Sequence, residues 1–329
     1  MNVLITGGAG FIGSHLADYL ISKKKIKKVI IIDNIKDGSL KNLNKSIRSK
    51  KFFFYKKDIR EFKKIKNLFK GVNIVFHLAA LSDVVPSIEE PIEYLDTNIM
   101  GTVNVLESMR KNKVKKIVYA ASSSCYGISK KIPTDENERI NPMYPYALSK
   151  NLAEQTIEHW SRTYKIDFVS LRLFNVYGTR SRTNSSYGAA LGVFLKQKLS
   201  NYPFTIIGDG KQKRDFIHVN DVVKAFYFST KKLVKNVIIN IGSGKPRSVI
   251  EMVNILKGKK IFIPKRPGEP DITYAKINKA KSILLWKPSI SLEVGLKDAL
   301  KNIAYWKNAP LWTKVKIKSA TKNWFRYLK

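Results

Sequence analysis

Three residues in the first half of the sequence, Ser122, Tyr146 and Lys150, have the types and spacing of an acid–base site. Tyr146 and Lys150 are four residues apart, so on a helix their side chains lie on one face. Because an ammonium group near a phenol favours the phenolate, we expect Lys150 to lower the pKa of Tyr146 from its free value of about 10. The phenol would then act as a general base near neutral pH, while the Ser122 hydroxyl holds the reacting oxygen.

The N-terminal residues 1–13, MNVLITGGAGFIG, predict a buried strand, a glycine-rich turn and the start of a helix. At the N-terminus of such a helix, unpaired amides and the helix dipole favour a pyrophosphate, and Gly7, Gly10 and Gly13 let it approach the backbone. Asp33 ends the next predicted strand, 20 residues after Gly13, at the offset where an acid binds the ribose of a dinucleotide. The alternative is a glycine turn that only packs the helix on the strand.

The elements that must position these residues alternate short apolar runs with longer amphipathic ones over residues 1–175. This alternation predicts an α/β fold with a Rossmann-type, doubly wound parallel sheet, which binds ligands at the carboxyl ends of its strands. The expected strands are 2–6, 29–33, 52–56, 73–77, 116–121 and 167–173, and the expected helices lie near 11–22, 61–69, 91–112 and 144–163. Residues 176–329 have shorter elements and predict a smaller C-terminal domain, with the chain returning to the sheet around 215–241.

Further candidate contacts follow the third and fourth predicted strands. Asp58 is placed to accept a hydrogen bond from an adenine amino group, or alternatively to cap a helix. Ala79 and Ala80 are small enough to allow the close approach of a flat ligand. For His77, which precedes them in the same motif, we favour a structural role over a catalytic one. The four histidines have no metal-ligand spacing with cysteine or acidic residues, so we expect no metal site.

Composition limits the class of protein. The chain has 329 residues, 44% of them hydrophobic, which is enough for one large or two modest globular domains. No apolar run approaches the roughly 20 residues that span a bilayer, and a strand at residue 2 leaves no room for a cleaved signal peptide. The formal net charge is +36, but the lysines are spread along the chain. We therefore favour a solvated lysine surface that attracts anionic substrates over a nucleic-acid-binding role.

Two other features bear on location and partners. The single cysteine, Cys125, excludes an internal disulfide framework and indicates a reducing cytoplasm. It has no paired histidine nearby in sequence, so we interpret it as a packing residue rather than a nucleophile. Residues 311–328 form a basic stretch with aromatic residues, for which we favour packing of a terminal helix over attachment to a membrane surface.

These motifs together resemble the NAD-dependent nucleotide-sugar epimerase/dehydratase family of the extended short-chain dehydrogenase/reductases, and within it the UDP-glucose 4-epimerases most of all. The resemblance extends over nearly the whole chain. Besides Asp33, the motifs that carry it are TGGAGFIG at 6–13, DIR at 58–60, HLAA at 77–80, the serines at 122–124, YxxxK at 146–150, LRLFNVYG at 171–178, GDGKQKRDFIHVNDV at 208–222 and RPGEPD at 266–271.

The resemblance implies an NAD cofactor, a UDP-sugar substrate and a role for each matching residue. The implied catalytic residues are Ser122, Tyr146 and Lys150. The implied cofactor contacts are Gly7, Gly10, Phe11, Ile12, Gly13, Asp33, Asn34, Asp58, Ile59, Ala79, Ala80, Asn98, Tyr146, Lys150 and Phe174. The implied substrate contacts are Ser123, Ser124, Asn175, Arg214, Arg266, Glu269 and Thr273.

The implied reaction is epimerisation at C4 of a UDP-hexose through a transient 4-keto sugar. Tyr146 would take the proton of the 4-hydroxyl while C4 gives hydride to NAD⁺, and the hydride would return to the other face. Sugar 4,6-dehydratases of this family usually carry Asp-Glu where this chain has Ser123 and Ser124, which argues against dehydration. Thr273 stands where a bulky tyrosine restricts the sugar pocket of related epimerases, so we expect N-acetylated UDP-hexoses to be accepted as well.

Two alternatives stay open at this point. The chain could be another nucleotide-sugar enzyme of the same family, a dehydratase, decarboxylase or reductase. It could also be a non-enzymatic protein that binds NAD or a polyanion and keeps only the fold. By analogy with the family, we expect a homodimer formed through the helices at 91–112 and 144–163.

Overall fold

The computed structural model describes residues 1–181 and 190–328. Its strands are β1 (Asn2–Thr6), β2 (Lys28–Asp33), β3 (Phe52–Lys56), β4 (Ile74–His77), β5 (Lys116–Ser122), β6 (Asp167–Leu173), β7 (Asn175–Tyr177), β8 (Phe204–Ile207), β9 (Lys213–Arg214), β10 (Phe216–His218), β11 (Val237–Ile241), β12 (Arg247–Ser248) and β13 (Lys260–Ile263). Its helices are α1 (Phe11–Ile21), α2 (Phe62–Ile65), α3 (Val84–Glu89), α4 (Pro91–Leu95), α5 (Gly101–Lys111), α6 (Pro145–Tyr164), α7 (Ala190–Leu199), α8 (Val219–Phe228), α9 (Val249–Leu256), α10 (Leu292–Lys301), α11 (Lys314–Ala320) and α12 (Lys322–Tyr327).

Seven strands form one parallel sheet in the order β11-β6-β5-β4-β1-β2-β3. The order reverses at β1, which pairs with β2 on one side and β4 on the other. Crossovers leave such a point in opposite directions, so a crevice opens there at the carboxyl ends of the strands. The doubly wound α/β fold predicted from the sequence is confirmed, and all six predicted strands form within one residue of their expected bounds.

The central strands are mostly apolar because helices cover both faces of the sheet. On one face, α1 and α8 pack over the sheet through Leu16, Leu20 and Phe226. On the other face, α5 and α6 contribute Leu106 and Ile157. Residues 91–111 are helical almost throughout, since a π-helical turn, Asp96–Met100, joins α4 to α5. The helix predicted at 61–69 is instead the short α2 followed by a 3₁₀ turn, Lys66–Phe69.

The second half of the chain contributes to two bodies of structure. Strand β11 returns to the main sheet and pairs with β6, so that Ile239 lies beside Leu171. Most of the remaining elements form a separate core in which α7, α9 and α10 surround the small β13-β8 sheet. Residues 182–189, within the predicted second domain, lie outside the described residues. In the described ranges, no helix is long and apolar enough to cross a membrane.

A buried ion pair fixes α6 against the sheet. The Arg172 and Glu154 side chains are 5% and 3% exposed, and Nη2 of Arg172 lies 2.5 Å from Oε1 of Glu154. Ser170 donates to the second oxygen of Glu154 at 2.5 Å, and Arg172 also donates to the Tyr126 hydroxyl at 3.0 Å. Breaking such a pair costs about 3–5 kcal/mol, because one charge is left buried without its partner. The pair therefore sets the position of the helix that carries Tyr146.

Candidate active site

A cleft of about 1150 Å³ runs along the carboxyl edge of the sheet, from the glycine turn to the loop 266–270. All but one of the residues predicted to bind cofactor or substrate, or to act in catalysis, line this cleft. Those that line it are Gly7, Gly10, Phe11, Ile12, Gly13, Asp33, Asn34, Asp58, Ile59, Ala79, Ala80, Ser122, Ser123, Ser124, Tyr146, Lys150, Phe174, Asn175, Arg214, Arg266, Glu269 and Thr273.

Asn98 is the exception, and the structure gives its side chain a different role. Its amide oxygen accepts from the Leu81 amide at 2.8 Å, and its amide nitrogen donates to the Leu81 carbonyl and the Ser149 hydroxyl. The residue is buried and does not line the cleft. Its hydrogen bonds join the segment after β4 to α6, and the cofactor contact predicted for Asn98 stays a prediction.

The glycine turn leaves the N-terminus of α1 facing the cleft. Among the described residues, no side chain caps this end of the helix, and its N-cap residue is Gly10. The uncapped amides of the first turn, with no acidic residue among them, fit the chemistry of a pyrophosphate. Gly7 and Gly13 are needed for packing as well. A Cβ on Gly7 would lie 2.7 Å from the Ala79 Cα, and one on Gly13 would lie 2.2 Å from the Gly7 carbonyl oxygen.

Asp33 is held at the end of β2 by two backbone amides. Its carboxylate accepts from the amides of Ala9 at 2.9 Å and Ile35 at 2.8 Å. Burial raises the pKa of Asp33, and these two hydrogen bonds oppose the rise. Each carboxylate oxygen has a further lone pair, so the side chain is still able to accept from the hydroxyls of a ribose.

Asp58 is fixed in its ionised form by its neighbours. Burial alone would raise its pKa, but hydrogen bonds from Arg60 and Asn34 lower the pKa of Asp58 to about 2. Asn34 donates to one oxygen at 2.9 Å, and the Arg60 guanidinium contacts both oxygens. The N-cap of α2 is Glu61, so the helix-capping alternative for Asp58 does not hold.

Ser122, Tyr146 and Lys150 come together at the centre of the cleft. Ser122 ends β5, and its hydroxyl accepts from the Ser124 amide at 3.2 Å. Tyr146 is the second residue of α6, and its phenol lies close enough to the Ser122 hydroxyl for Ser122 to affect its pKa. The Lys150 ammonium, one turn further along α6, lies 4.2 Å from the centre of the Tyr119 ring.

We expected Lys150 to lower the pKa of Tyr146, but the groups of the chain itself raise it. Burial raises the pKa of Tyr146, the Ser122 hydroxyl opposes the rise, and the nearby Asp83 adds to it. Burial also lowers the pKa of Lys150 to about 7, against the opposite pull of Glu154. The physical reason is the same for both residues, since a desolvated site disfavours a phenolate and an ammonium alike.

At the other end of the cleft, two arginines converge on one carboxylate. Nη1 of Arg266 lies 2.9 Å from one oxygen of Glu269, and Nη2 of Arg214 lies 3.6 Å from the other. Arg214 also donates to the Pro270 carbonyl at 2.8 Å, which fixes the end of the loop. The pair of guanidinium groups carries one more positive charge than Glu269 balances, which suits a doubly charged diphosphate.

Thr273 and Asn175 lie beside this cluster. The Thr273 hydroxyl donates to the Asn175 side-chain oxygen at 2.9 Å and accepts from the Asp215 amide at 3.2 Å. The side chain is thus held in place, and its small size leaves the neighbouring part of the cleft open. Ser123 and Ser124 line the cleft on the opposite side, in the turn that follows β5.

Two residues expected to be structural have the surroundings of structural residues. His77 is buried between Thr6 and Thr102, whose hydroxyls lie 2.7 and 2.8 Å from its ring nitrogens, and burial lowers its pKa to about 3. Cys125 is buried too, and burial raises the pKa of its thiol to about 12. Nowhere in the described part of the chain do three or more His, Cys, Asp or Glu residues form a group able to hold a metal ion.

Among the residues that line the cleft, sequence reasoning missed Asp83, Tyr144, Tyr305 and Trp324. Tyr305 comes from the second half of the chain, and its hydroxyl donates to Asn42 at 3.0 Å; Asn42 in turn donates to the Ala9 carbonyl in the glycine turn. Asp83 comes three residues after the HLAA motif, and this position in the sequence could have indicated that it lines the cleft. For Tyr305 and Trp324 the sequence offers none, because their contacts are with segments far away in the chain.

Known proteins resemble this chain in sequence and in structure. The sequence pattern of the NAD dependent epimerase/dehydratase family matches residues 3–242. A Methanocaldococcus jannaschii protein provisionally named UDP-glucose 4-epimerase is 41% identical over 311 residues, covering 92% of this chain and 97% of that protein. Thermotoga maritima UDP-glucose 4-epimerase, solved with UDP-glucose, is similar with 34% identity and a TM-score of 0.84, over 93% of this chain and 99% of that one. Bacillus cereus UDP-glucuronic acid 4-epimerase, solved with UDP-glucuronic acid and NAD, is similar with 32% identity and a TM-score of 0.86, over 92% and 99%.

The lowered pKa of Lys150 predicts how stability depends on pH. The folded chain loses this proton near pH 7, whereas the unfolded chain keeps it until about pH 10.5. The free energy of unfolding should therefore gain a contribution that rises from pH 7 to pH 10, because the unfolded state binds more protons in that window. Urea unfolding of nucleotide-free protein would show this rise in the wild type and its loss in Lys150→Met. Lys130→Met, at an exposed position, is the control, and an equal slope in Lys150→Met and wild type would contradict the prediction.

Proposed function

The chain belongs to the NAD-dependent epimerase/dehydratase family, and we propose that it is an NAD-dependent UDP-hexose 4-epimerase. The observation that carries this proposal is a single cleft that brings Ser122, Tyr146 and Lys150 together with the open end of α1 and the Arg214–Arg266 pair. Relatives named for UDP-glucose are 41% and 34% identical to this chain, and one named for UDP-glucuronic acid is 32% identical. These sequence identities leave the hexose open.

In this proposal, residues 1–175 form the domain that binds NAD. Most of residues 176–329 form the domain that binds the nucleotide sugar. The first turn of α1, with Gly10 at its start, binds the pyrophosphate, and Asp33 accepts from the adenosine ribose. Asp58 and Ile59 contact the adenine, and Lys150 contacts the nicotinamide ribose. NAD, when bound, supplies the acceptor and then the donor of the C4 hydride, and a positive charge beside the phenol.

The chain's own groups perform the proton transfers. Tyr146 takes the proton of the sugar's 4-hydroxyl, and Ser122 holds the reacting oxygen during the transfer. Asn175, Arg214 and Arg266 hold the diphosphate, which anchors the substrate at one end. The hexose is then free to turn within the cleft as a 4-keto sugar and present its other face before Tyr146 returns the proton. The product has the opposite configuration at C4.

The residues after Ser122 favour this reaction over dehydration. Ser123 and Ser124 stand where a 4,6-dehydratase would carry an acid and a base, and their hydroxyl groups have no useful acidity near neutral pH. The cleft nevertheless contains Asp83, which lies near Tyr146. Product analysis therefore has to distinguish epimers from products of altered mass.

The direct test is product analysis with a matched variant. Purified protein is incubated separately with UDP-glucose, UDP-GlcNAc and UDP-glucuronate, and the epimers are resolved by chromatography. We expect at least one C4 epimer without net release of NADH. Tyr146→Phe should keep its NAD and lose about 10²- to 10⁴-fold in kcat, because it lacks the acid–base hydroxyl. A near-normal rate in Tyr146→Phe would mean that the base is another residue, and a product of different mass or net NADH would indicate a sibling reaction of the family.

Thr273 provides a test of substrate range. We propose that its small side chain admits an N-acetyl group, so the wild type should turn over both UDP-galactose and UDP-GalNAc. Thr273→Tyr should keep UDP-galactose turnover and lose that of UDP-GalNAc roughly tenfold or more, because the ring fills space that a buried substrate group needs. Thr273→Ser, which keeps the hydroxyl, is the control. The idea fails if neither form turns over UDP-GalNAc while both turn over UDP-galactose equally.

We also propose a homodimer formed through α5 and α6, acting in the cytoplasm in polysaccharide biosynthesis. Large apolar side chains are exposed near this face, with Met100 at 51% and Leu148 at 40%. Sedimentation should give twice the 37.6 kDa mass of the chain, and Leu148→Glu should shift it towards the monomer, because a charge is costly in such an interface. Leu233→Glu, at a site 93% exposed, should leave the dimer intact. A wild type that sediments as a monomer would refute the dimer.

A further inference from the structure

The C-terminal segment, residues 311–328, ends in the short helices α11 and α12 and lies outside residues 3–242, which match the family. Helix α12 packs against α3. Its one buried side chain is that of Trp324, which is 3% exposed and lines the cleft. The tail of the chain is thus part of the wall of the site.

Trp324 contacts the loop 266–270 in two ways. Its indole N–H donates to the Pro267 carbonyl at 2.8 Å. The guanidinium carbon of Arg266 lies 5.6 Å from the centre of the indole ring, within the range of a cation–π interaction. The far end of the same loop is fixed by Arg214, which donates to the Pro270 carbonyl. Trp324 and Arg214 therefore hold the loop at its two ends.

The same indole also contacts the segment that leads into α6. The Trp324 and Tyr144 rings have centres 5.8 Å apart, and Tyr144 in turn lies parallel to Tyr146, at 6.5 Å and an angle of 7°. A row of three aromatic rings thus connects the tail to the proposed base. Trp324 therefore contacts Arg266 directly and is connected to Tyr146 through the Tyr144 ring.

We propose that Trp324 is a positioning residue for substrate binding, which holds Arg266 in the orientation that receives the diphosphate. This inference rests on the proposed function, since it takes Arg266 as a diphosphate contact. An arginine side chain has several rotatable bonds, and fixing it before the ligand arrives lowers the entropic cost of binding. The ring face of the indole contacts the Arg266 guanidinium, and its N–H group fixes the backbone carbonyl of the neighbouring Pro267. The effect should appear mainly in KM, with a smaller effect on kcat through Tyr144.

The test measures the affinity for UDP, which carries the diphosphate without the hexose, by calorimetry on the enzyme with NAD present. Trp324→Ala should bind UDP about tenfold more weakly, and Trp324→Phe, which keeps a ring but not the N–H, about threefold more weakly. Tyr327→Ala is the matched control, since this residue lies on the same helix but is 60% exposed. It should bind UDP as the wild type does.

A double-mutant cycle separates positioning from a general loss of structure. If Trp324 acts through Arg266, the Trp324→Ala/Arg266→Ala double variant should bind UDP no more weakly than Arg266→Ala alone. Fully additive losses would overturn the proposal. So would unchanged UDP affinity in a folded Trp324→Ala variant when the wild type binds UDP and epimerises its substrate.

Two further outcomes are decisive. If Trp324→Ala does not fold, the affinity of Trp324→Phe decides, and wild-type affinity in that variant would overturn the proposal. If UDP does not bind the unchanged chain, the proposed function fails, and this inference fails with it. A loss confined to Trp324→Ala and Trp324→Phe, with a normal Tyr327→Ala control, is the result that supports the proposal.

Discussion

The buried ion pair between Arg172 and Glu154 is the constraint on which the geometry of the cleft depends. Glu154 is on α6, two turns after Tyr146 and one turn after Lys150, so these three side chains share a face of the helix. Arg172 lies in β6, where it pairs with Ala121, the neighbour of Ser122. Holding Glu154 against Arg172 therefore brings the phenol of Tyr146 to the Ser122 hydroxyl. The Tyr126 hydroxyl extends the same network to Asn240 on β11, at 2.8 Å.

The packing that sets this geometry also determines the charge state of the reactive groups. Tyr146 and Lys150 are both buried, so the neutral forms of both are favoured over the charged ones. The helical spacing of the two residues is the right geometry for a proton-transfer pair, but spacing alone does not lower the phenol pKa. For Tyr146 to act as the proposed base, the field that stabilises its phenolate has to come from groups that enter the cleft, together with Lys150 in its protonated form. The proposed acid–base function would thus be coupled to occupancy of the cleft.

Most of the fold could be predicted from the sequence, because strands that are covered on both faces appear in it as short, mostly apolar runs. It also located the three central side chains, since YxxxK places two of them on one helical face and Ser122 follows a strand. The sequence does not show how deeply Tyr146 is buried. The predicted direction of its pKa shift was therefore wrong for the groups of the chain itself. The sequence also did not reveal that Asn98 is buried and binds the Leu81 backbone, because a motif position does not tell which way an amide faces. Trp324 and Tyr305 were missed because only the tertiary fold brings these two residues to the wall of the cleft.

The return of the chain to the main sheet has a consequence for how the protein can be divided. Cutting it after residue 175 would remove β11 and leave the backbone N–H and C=O groups of β6 unpaired along an open sheet edge, a template for association with other strands. The cut would also remove α8 and uncover apolar residues of α1, such as Leu16 and Leu20. Residues 1–175 are therefore not an autonomous folding unit, and a fragment that ends at the boundary predicted from the sequence would be prone to aggregate.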